Sequence, residues 1–242
     1  MIKVTVFNEG YHDRSEEKVK KVYPDGIHGQ LKKFLECDDV SVRILTQYDE
    51  NLEMIPNCGI TKEILDDTDV IIWWGHMRHK EVPDEIAEMV ADYVRRGMGA
   101  IFLHSAHHSK PFKKLMGTTC NLKWRDGAKE RLWNINPAHP VMQGIGEFFD
   151  IPEEEMYGER FDIPTPDELL MIGTYNSHEV FRSVCAWQRS FGKIFYFQPG
   201  HETNPTYYIP EVQTIIKNAV RWVKPLYRTE EIPCPNYQEV EL

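Results

Sequence analysis

No stretch of the 242 residues approaches the roughly 20 consecutive apolar positions a membrane helix needs, and the amino terminus enters strand-like sequence with no signal-peptide pattern. A membrane partner is therefore not expected, and the cytoplasm is the expected location. Basic stripes are also missing. Lys and Arg number 28 against 38 Asp and Glu, a formal net charge of −10, so the chain has no general electrostatic route to a phosphate backbone. Nucleic acid is excluded as a partner on that ground. The five cysteines, Cys37, Cys58, Cys120, Cys185 and Cys234, are odd in number and never in CxxC spacing, which argues against a disulfide framework or a zinc knot. What is present is ordinary for a folded chain: 41% hydrophobic, 12% aromatic and 27% charged residues.

Apolar runs of strand length, each followed by a turn and a helical pattern, mark buried strands of a largely parallel sheet. Four are clear: Ile2 to Phe7, Val40 to Leu45, Val70 to Trp74 and Ala100 to Leu103. The best amphipathic helix between them is Asp84 to Arg96, with Ile86, Met89, Val90 and Tyr93 on one face and Gly97 and Gly99 ending it. This alternation predicts right-handed βαβ crossovers and a three-layer α/β/α sandwich. The stretch from about 117 to 177, carrying Pro137, Pro140, Pro152, Pro164 and Pro166, reads as an irregular elaboration of one domain spanning 1–242. Val180 to Gln188 and Lys193 to Gln198 read as a hairpin across Arg189 to Gly192, and Pro210 to Val223 as a last helix. The tail at about 225–242, with Pro233 and Pro235, reads as an extended arm on this or a neighbouring subunit, so a homo-oligomer is expected.

In an open α/β sheet the ligand crevice lies beyond the carboxyl ends of the strands. His12 follows the first strand, His76 follows Val70 to Gly75, His104 closes Ala100 to Leu103, and His201 follows Ile194 to Gly200. If these runs are parallel neighbours, the imidazoles share one rim with Glu9 and Glu202. His28, His139 and His178 read as ordinary surface or loop residues, and His79 and His107 sit in turns that could face either way. Ser105, in the turn Leu103 to His108, is either a nucleophile at a sharp elbow or the N-cap of the following helix; the flanking glycines of G-x-S-x-G are absent, and the cap is the favoured reading. His76, His104, His108 and His201 are candidate ligands for a divalent metal such as zinc, although no HExxH motif is present. Sugars stack their C–H faces on rings, and Trp124 and Tyr157, with Glu159 nearby, are candidate walls of a sugar pocket, while Trp73 reads as core.

Several segments together resemble the ThuA-like trehalose-utilisation family: Ile71-Ile-Trp-Trp-Gly-His76, Glu81-Val-Pro-Asp-Glu85, Leu103-His-Ser-Ala106, Phe112-Lys-Lys-Leu-Met-Gly117, Leu122-Lys-Trp-Arg125, Glu155-Met-Tyr-Gly-Glu159 and Tyr196-Phe-Gln-Pro-Gly-His-Glu202. The resemblance covers almost the whole chain. It implies a flavodoxin-like, mostly parallel sheet similar to class I glutamine amidotransferases. Those relatives carry a cysteine at the elbow and a His-x-Glu after a late strand; here the elbow is His104-Ser105-Ala106 and His201 and Glu202 are adjacent, so the nucleophile of glutamine hydrolysis is missing. Family context implies a sugar-processing protein acting on a disaccharide such as trehalose, or on a keto derivative supplied by a partner sugar dehydrogenase. His104, His201 and Glu202 would then act in acid/base or metal-assisted chemistry, with Glu9, His12, His76, Trp124, Tyr157 and Glu159 binding the sugar. A non-catalytic sugar-binding subunit and a Ser105 hydrolase are the alternatives.

Overall fold

A computed structural model describes residues 1–236. One nine-stranded sheet runs through the molecule, built from β1 (Ile2–Asn8), β2 (Val40–Thr46), β3 (Val70–Trp74), β4 (Gly99–Leu103), β5 (Lys123–Asn134), β6 (Phe148–Gly158), β7 (Glu168–Tyr175), β8 (Val180–Arg189) and β9 (Gly192–Phe197). Their order is β2-β1-β3-β4-β9-β8-β7-β5-β6. From β2 through β9 every pairing is parallel, and from β9 onward every pairing is antiparallel. The first half is the flavodoxin-like order, with β9 supplying the fifth parallel strand.

Continuous burial explains why these strands read so clearly. Every residue of β3 and β4 is buried, because helices cover both faces. Alternate side chains serve two cores: Val4, Val6, Ile72, Leu103 and Phe197 face α3 (Gly26–Leu35) and α7 (Pro210–Val223), while Ile71, Trp73, Phe102 and Tyr196 face α5 (Asp84–Arg95) and α6 (Lys110–Met116). The three-layer arrangement and the core position of Trp73 follow. Shorter helices, α1 (His12–Ser15), α2 (Glu17–Val22) and α4 (Lys62–Asp66), complete the layers. All five cysteines are free thiols.

The region 117–177 departs from its expected irregularity, since it holds β5, β6 and β7 and extends the sheet. Its strands escape a pattern search for physical reasons. One face of β5 is solvated, its register with β6 shifts between Arg125 and Glu130, and Pro152 sits in β6, the edge strand where a missing N–H is tolerated. The tail from 225 lies on its own chain: the Thr229 amide donates to the Arg96 carbonyl at 3.1 Å, and the Arg228 guanidinium donates to the carbonyls of Thr68 and Leu65. Gly97, at φ +118°, is required there, because a Cβ would collide with the Tyr227 carbonyl. Residues 237–242 of the expected arm lie outside the described residues.

Candidate functional site

Pairing register aligns the strand ends. Asn8, Trp74, Leu103 and Phe197 are the last paired residues of β1, β3, β4 and β9 and form one row across the sheet. The segments that follow each strand therefore leave the sheet side by side, and His12, His76, His104 and His201 meet above this row. His76, His104, His201 and Glu155 each offer a ligand atom within 4.8 Å of the others, and His12, His76 and Glu202 form a second such group sharing His76.

Each imidazole is held by a particular neighbour. His104 is wholly buried, with Nδ1 at 2.9 Å from the Gln198 carbonyl and Nε2 at 3.1 Å from Glu155 Oε2. Its ring stacks on Tyr157 with centroids 5.2 Å apart. The His104 backbone lies in the left-handed region at φ +52°, a conformation that costs a non-glycine residue about 1–3 kcal/mol and recurs at functional sites. His76 Nδ1 and His12 Nδ1 lie 2.7 and 2.8 Å from the same oxygen of Glu202. His201 Nδ1 meets the Thr203 hydroxyl at 2.9 Å, and its backbone amide donates to the buried Glu154 at 3.1 Å.

Burial and charge pull these groups apart. Burial alone would lower His104, but the Glu155 carboxylate outweighs it and raises the imidazole to about 9. His201 is only partly buried, but with no carboxylate bonded so closely its loss of solvent lowers it to about 4. Burial would raise Glu202; the bonds from His12 and His76 prevail and hold it well below the usual carboxylate range. One rim thus holds a stabilised cationic imidazole and a neutral one, the separation that acid and base roles require.

Glu9 belongs to the scaffold. It is buried, and Oε2 accepts the backbone amides of His76, Met77 and Arg78 at 2.9, 3.0 and 2.8 Å, which fixes the turn presenting His76. Ser105 donates to the Gly75 carbonyl, and the cap of α6 is instead Ser109, whose hydroxyl accepts the Phe112 amide. The elbow tip with positive φ is His104, so Ser105 has neither the expected cap role nor the strained position of a nucleophile. His108 stands outside the four-residue group, bonded to Asn121 at 3.0 Å, and Glu155 fills the place expected of it. Glu159 is turned away from the cleft into an ion pair with Arg182 at 2.8 Å. His139 is no surface residue; it is buried against Trp222 and accepts the Val141 amide. His28 is half-buried and bonded to Asn8, His107 is buried and bonded to the Cys120 carbonyl, His79 lines the cleft, and His178 lies exposed in a turn.

His76, Glu155 and His201 line a cleft of about 370 Å³, with His104 buried behind them, and a second lobe of about 300 Å³ shares Asp126, Glu155 and His201 with it. Trp124, 63% exposed, forms part of the larger lobe's lip, and Tyr157 its inner wall. Glu154 and Glu155 were not singled out as site residues from sequence. The signal that could have found them is the run Glu153 to Glu155 inside a segment ending Met156-Tyr157, acidic residues placed where a strand becomes apolar.

Comparison with known proteins adds the family. No curated protein is significantly similar in sequence. Among solved structures, a ThuA-like protein from Parabacteroides merdae superposes with TM-score 0.67 at 15% identity, covering 96% of this chain and 93% of its own. A ThuA-like protein from Bacteroides uniformis gives 0.66 at 17%, covering 92% and 91%, and a cytoplasmic protein from Salmonella typhimurium gives 0.62 at 13%, covering 93% and 100%. At such identities the likeness is one of fold. No helix among the described residues is long and apolar enough to cross a membrane. Residues 3–223 match the family described as trehalose utilisation, and the chain belongs to this ThuA family.

Proposed function

We propose that the cleft takes a disaccharide such as trehalose, or its keto derivative, and that the His104–Glu155 pair and His201 handle protons at the sugar. The observation that carries this reading is the aligned row of strand ends, which gathers His76, Glu155 and His201 on one two-lobed cleft, with His104 buried directly behind Glu155 and Trp124 at the lip. Each lobe offers polar partners for hydroxyls, and the shared residues Asp126, Glu155 and His201 lie where two sugar rings would join.

A keto group acidifies the adjacent C–H. The neutral His201 takes that proton, the C–H bonding pair forms a carbon–carbon double bond, and the carbonyl electrons move to oxygen. The positive charge of the buried His104, held behind Glu155, stabilises the oxygen, and Glu155 at the cleft wall passes it a proton that His104 replaces. Return of a proton to carbon gives an isomer; expulsion of a neighbouring oxygen substituent, itself protonated on leaving, gives elimination. A partner sugar dehydrogenase would supply the keto substrate, and a cytoplasmic setting fits that coupling.

Purified protein incubated with trehalose, related disaccharides and their keto forms, followed by mass spectrometry, tests the reading. His104→Ala and His201→Ala are each expected to abolish turnover of a keto-disaccharide while circular dichroism stays native. Full turnover in both variants sinks the assignment. Thermal stabilisation by sugar with no product from the wild type assigns a non-catalytic binding role instead.

A further inference from the structure

We infer that His76, His104, Glu155 and His201 form a binding site for one divalent transition-metal cation of the zinc class. The inference deepens the proposed site but stands on its geometry, independently of the sugar.

The argument starts from the imidazole edges. His104 Nδ1 faces a carbonyl, the Gln198 oxygen at 2.9 Å, so Nδ1 carries the hydrogen and Nε2 presents its lone pair. That lone pair faces Glu155 Oε2 at 3.1 Å, and this carboxylate oxygen is buried without a hydrogen-bond partner. Two acceptors at that distance require a positive charge between them. A proton would satisfy this one pair. It would not account for His76 and His201, whose ligand atoms fall within the same 4.8 Å group.

His76 is oriented in the same way. Its Nδ1 lies 2.7 Å from Glu202, the carboxylate–histidine arrangement that fixes the tautomer of a metal ligand and leaves Nε2 to bind. Glu202 also receives His12 at 2.8 Å, so its bonded oxygen is occupied by two imidazoles, and the group His12, His76 and Glu202 is outer support rather than a second ion site. His201 Nδ1 lies 2.9 Å from the Thr203 hydroxyl, which can accept its hydrogen, while the Thr203 amide donates to the same nitrogen at 3.3 Å; the two bonds call for opposite tautomers, so His201 is the most loosely fixed of the four and binds through Nε2 when Nδ1 carries the hydrogen. Three imidazoles and one carboxylate suit zinc, cobalt(II) or manganese(II) rather than magnesium or calcium. The site opens onto the cleft through His76, Glu155 and His201. A bound cation would polarise a substrate oxygen, supplying the positive charge that the His104 proton supplies in its absence.

Metal content of full-length protein is measured by mass spectrometry as purified, and chelator-stripped protein is titrated calorimetrically with Zn²⁺, Co²⁺ and Mn²⁺. One equivalent per chain is expected for at least one ion, with visible absorption bands in the Co²⁺ form. Glu155→Gln and His201→Ala should each weaken binding at least about ten-fold, whereas His178→Ala, on an exposed turn, leaves it unchanged. If Glu155→Gln fails to fold, His201→Ala and His76→Ala, at partly exposed positions, carry the comparison. Failure of all three ions to bind at one equivalent overturns the inference, as does binding insensitive to these substitutions. Because the titration contains no sugar, metal binding without turnover counts against the sugar reading alone, and turnover that survives stripping without metal binding counts against the metal alone.

Discussion

At the scale of single residues, the site depends on side chains whose neighbours decide their chemistry. His104 is a wholly buried imidazole and His201 a partly buried one, yet Glu155 raises the first while burial depresses the second. Trp124 is the opposite case, an indole left 63% exposed at the cleft lip with no core to fill. If it serves as a stacking platform, Trp124→Ala should weaken sugar binding by roughly 2- to 10-fold, the worth of an aromatic contact of about 0.5–1.5 kcal/mol. Isothermal calorimetry reads the loss, and an unchanged melting temperature separates it from damage to the fold. The histidines of this rim were legible as residues because each lies within a few residues of the end of an apolar strand. Glu155 was not, because its carboxylate reaches the rim from an antiparallel strand whose register no sequence pattern displays.

At the scale of elements, the turn after β4 shows how local chemistry divides between adjacent residues. Ser105 and Ser109 both precede α6, and both are small hydroxyl residues suited to an N-cap. Only Ser109 has the extended backbone, at φ −60° and ψ 145°, that aims its oxygen at the Phe112 amide; Ser105 lies inside the short turn His104–His108. Ser109→Ala should therefore cost about 1 kcal/mol of stability in urea denaturation. A loss well below that would show the cap to be idle. Helices α5 and α7 were legible almost to the residue, since each buries one face against strands buried on both sides. β5 and β6 were not, because bulges and a solvated face blur the two-residue period.

At the scale of the whole molecule, the antiparallel half carries buried acids into the sheet interior. Glu130 is fully buried, bonded to the Ser183 hydroxyl at 2.9 Å, and burial pushes its carboxyl up to about 8 from an ordinary 4.5. The raised value means that the folded state holds the proton while the unfolded chain releases it. Below about pH 4 both states are protonated and there is no penalty; as pH rises from there towards 8 the unfolded state is progressively favoured. Glu130→Gln, which keeps the shape and removes the ionisation, should therefore raise the melting temperature at pH 8, by the equivalent of a few kcal/mol as an order of magnitude, and leave it nearly unchanged at pH 4. Thermal melts of both proteins at the two pH values check this. Equal gains at both would rule out ionisation as the cause.

Sequence by itself determined the parallel half of the sheet and the ring of histidines above it. A strand covered on both faces must be apolar throughout, and the first polar residue after it emerges at the carboxyl edge, so position along the chain sufficed. It also determined the family, through short segments spread over nearly the whole chain. Tertiary structure alone decided which acids join the histidines. Glu9 is drawn into backbone amides, Glu159 into an ion pair with Arg182, and Glu155 into the cluster. A carboxylate's role depends on which donors surround it in three dimensions, and those donors come from strands far apart in the chain.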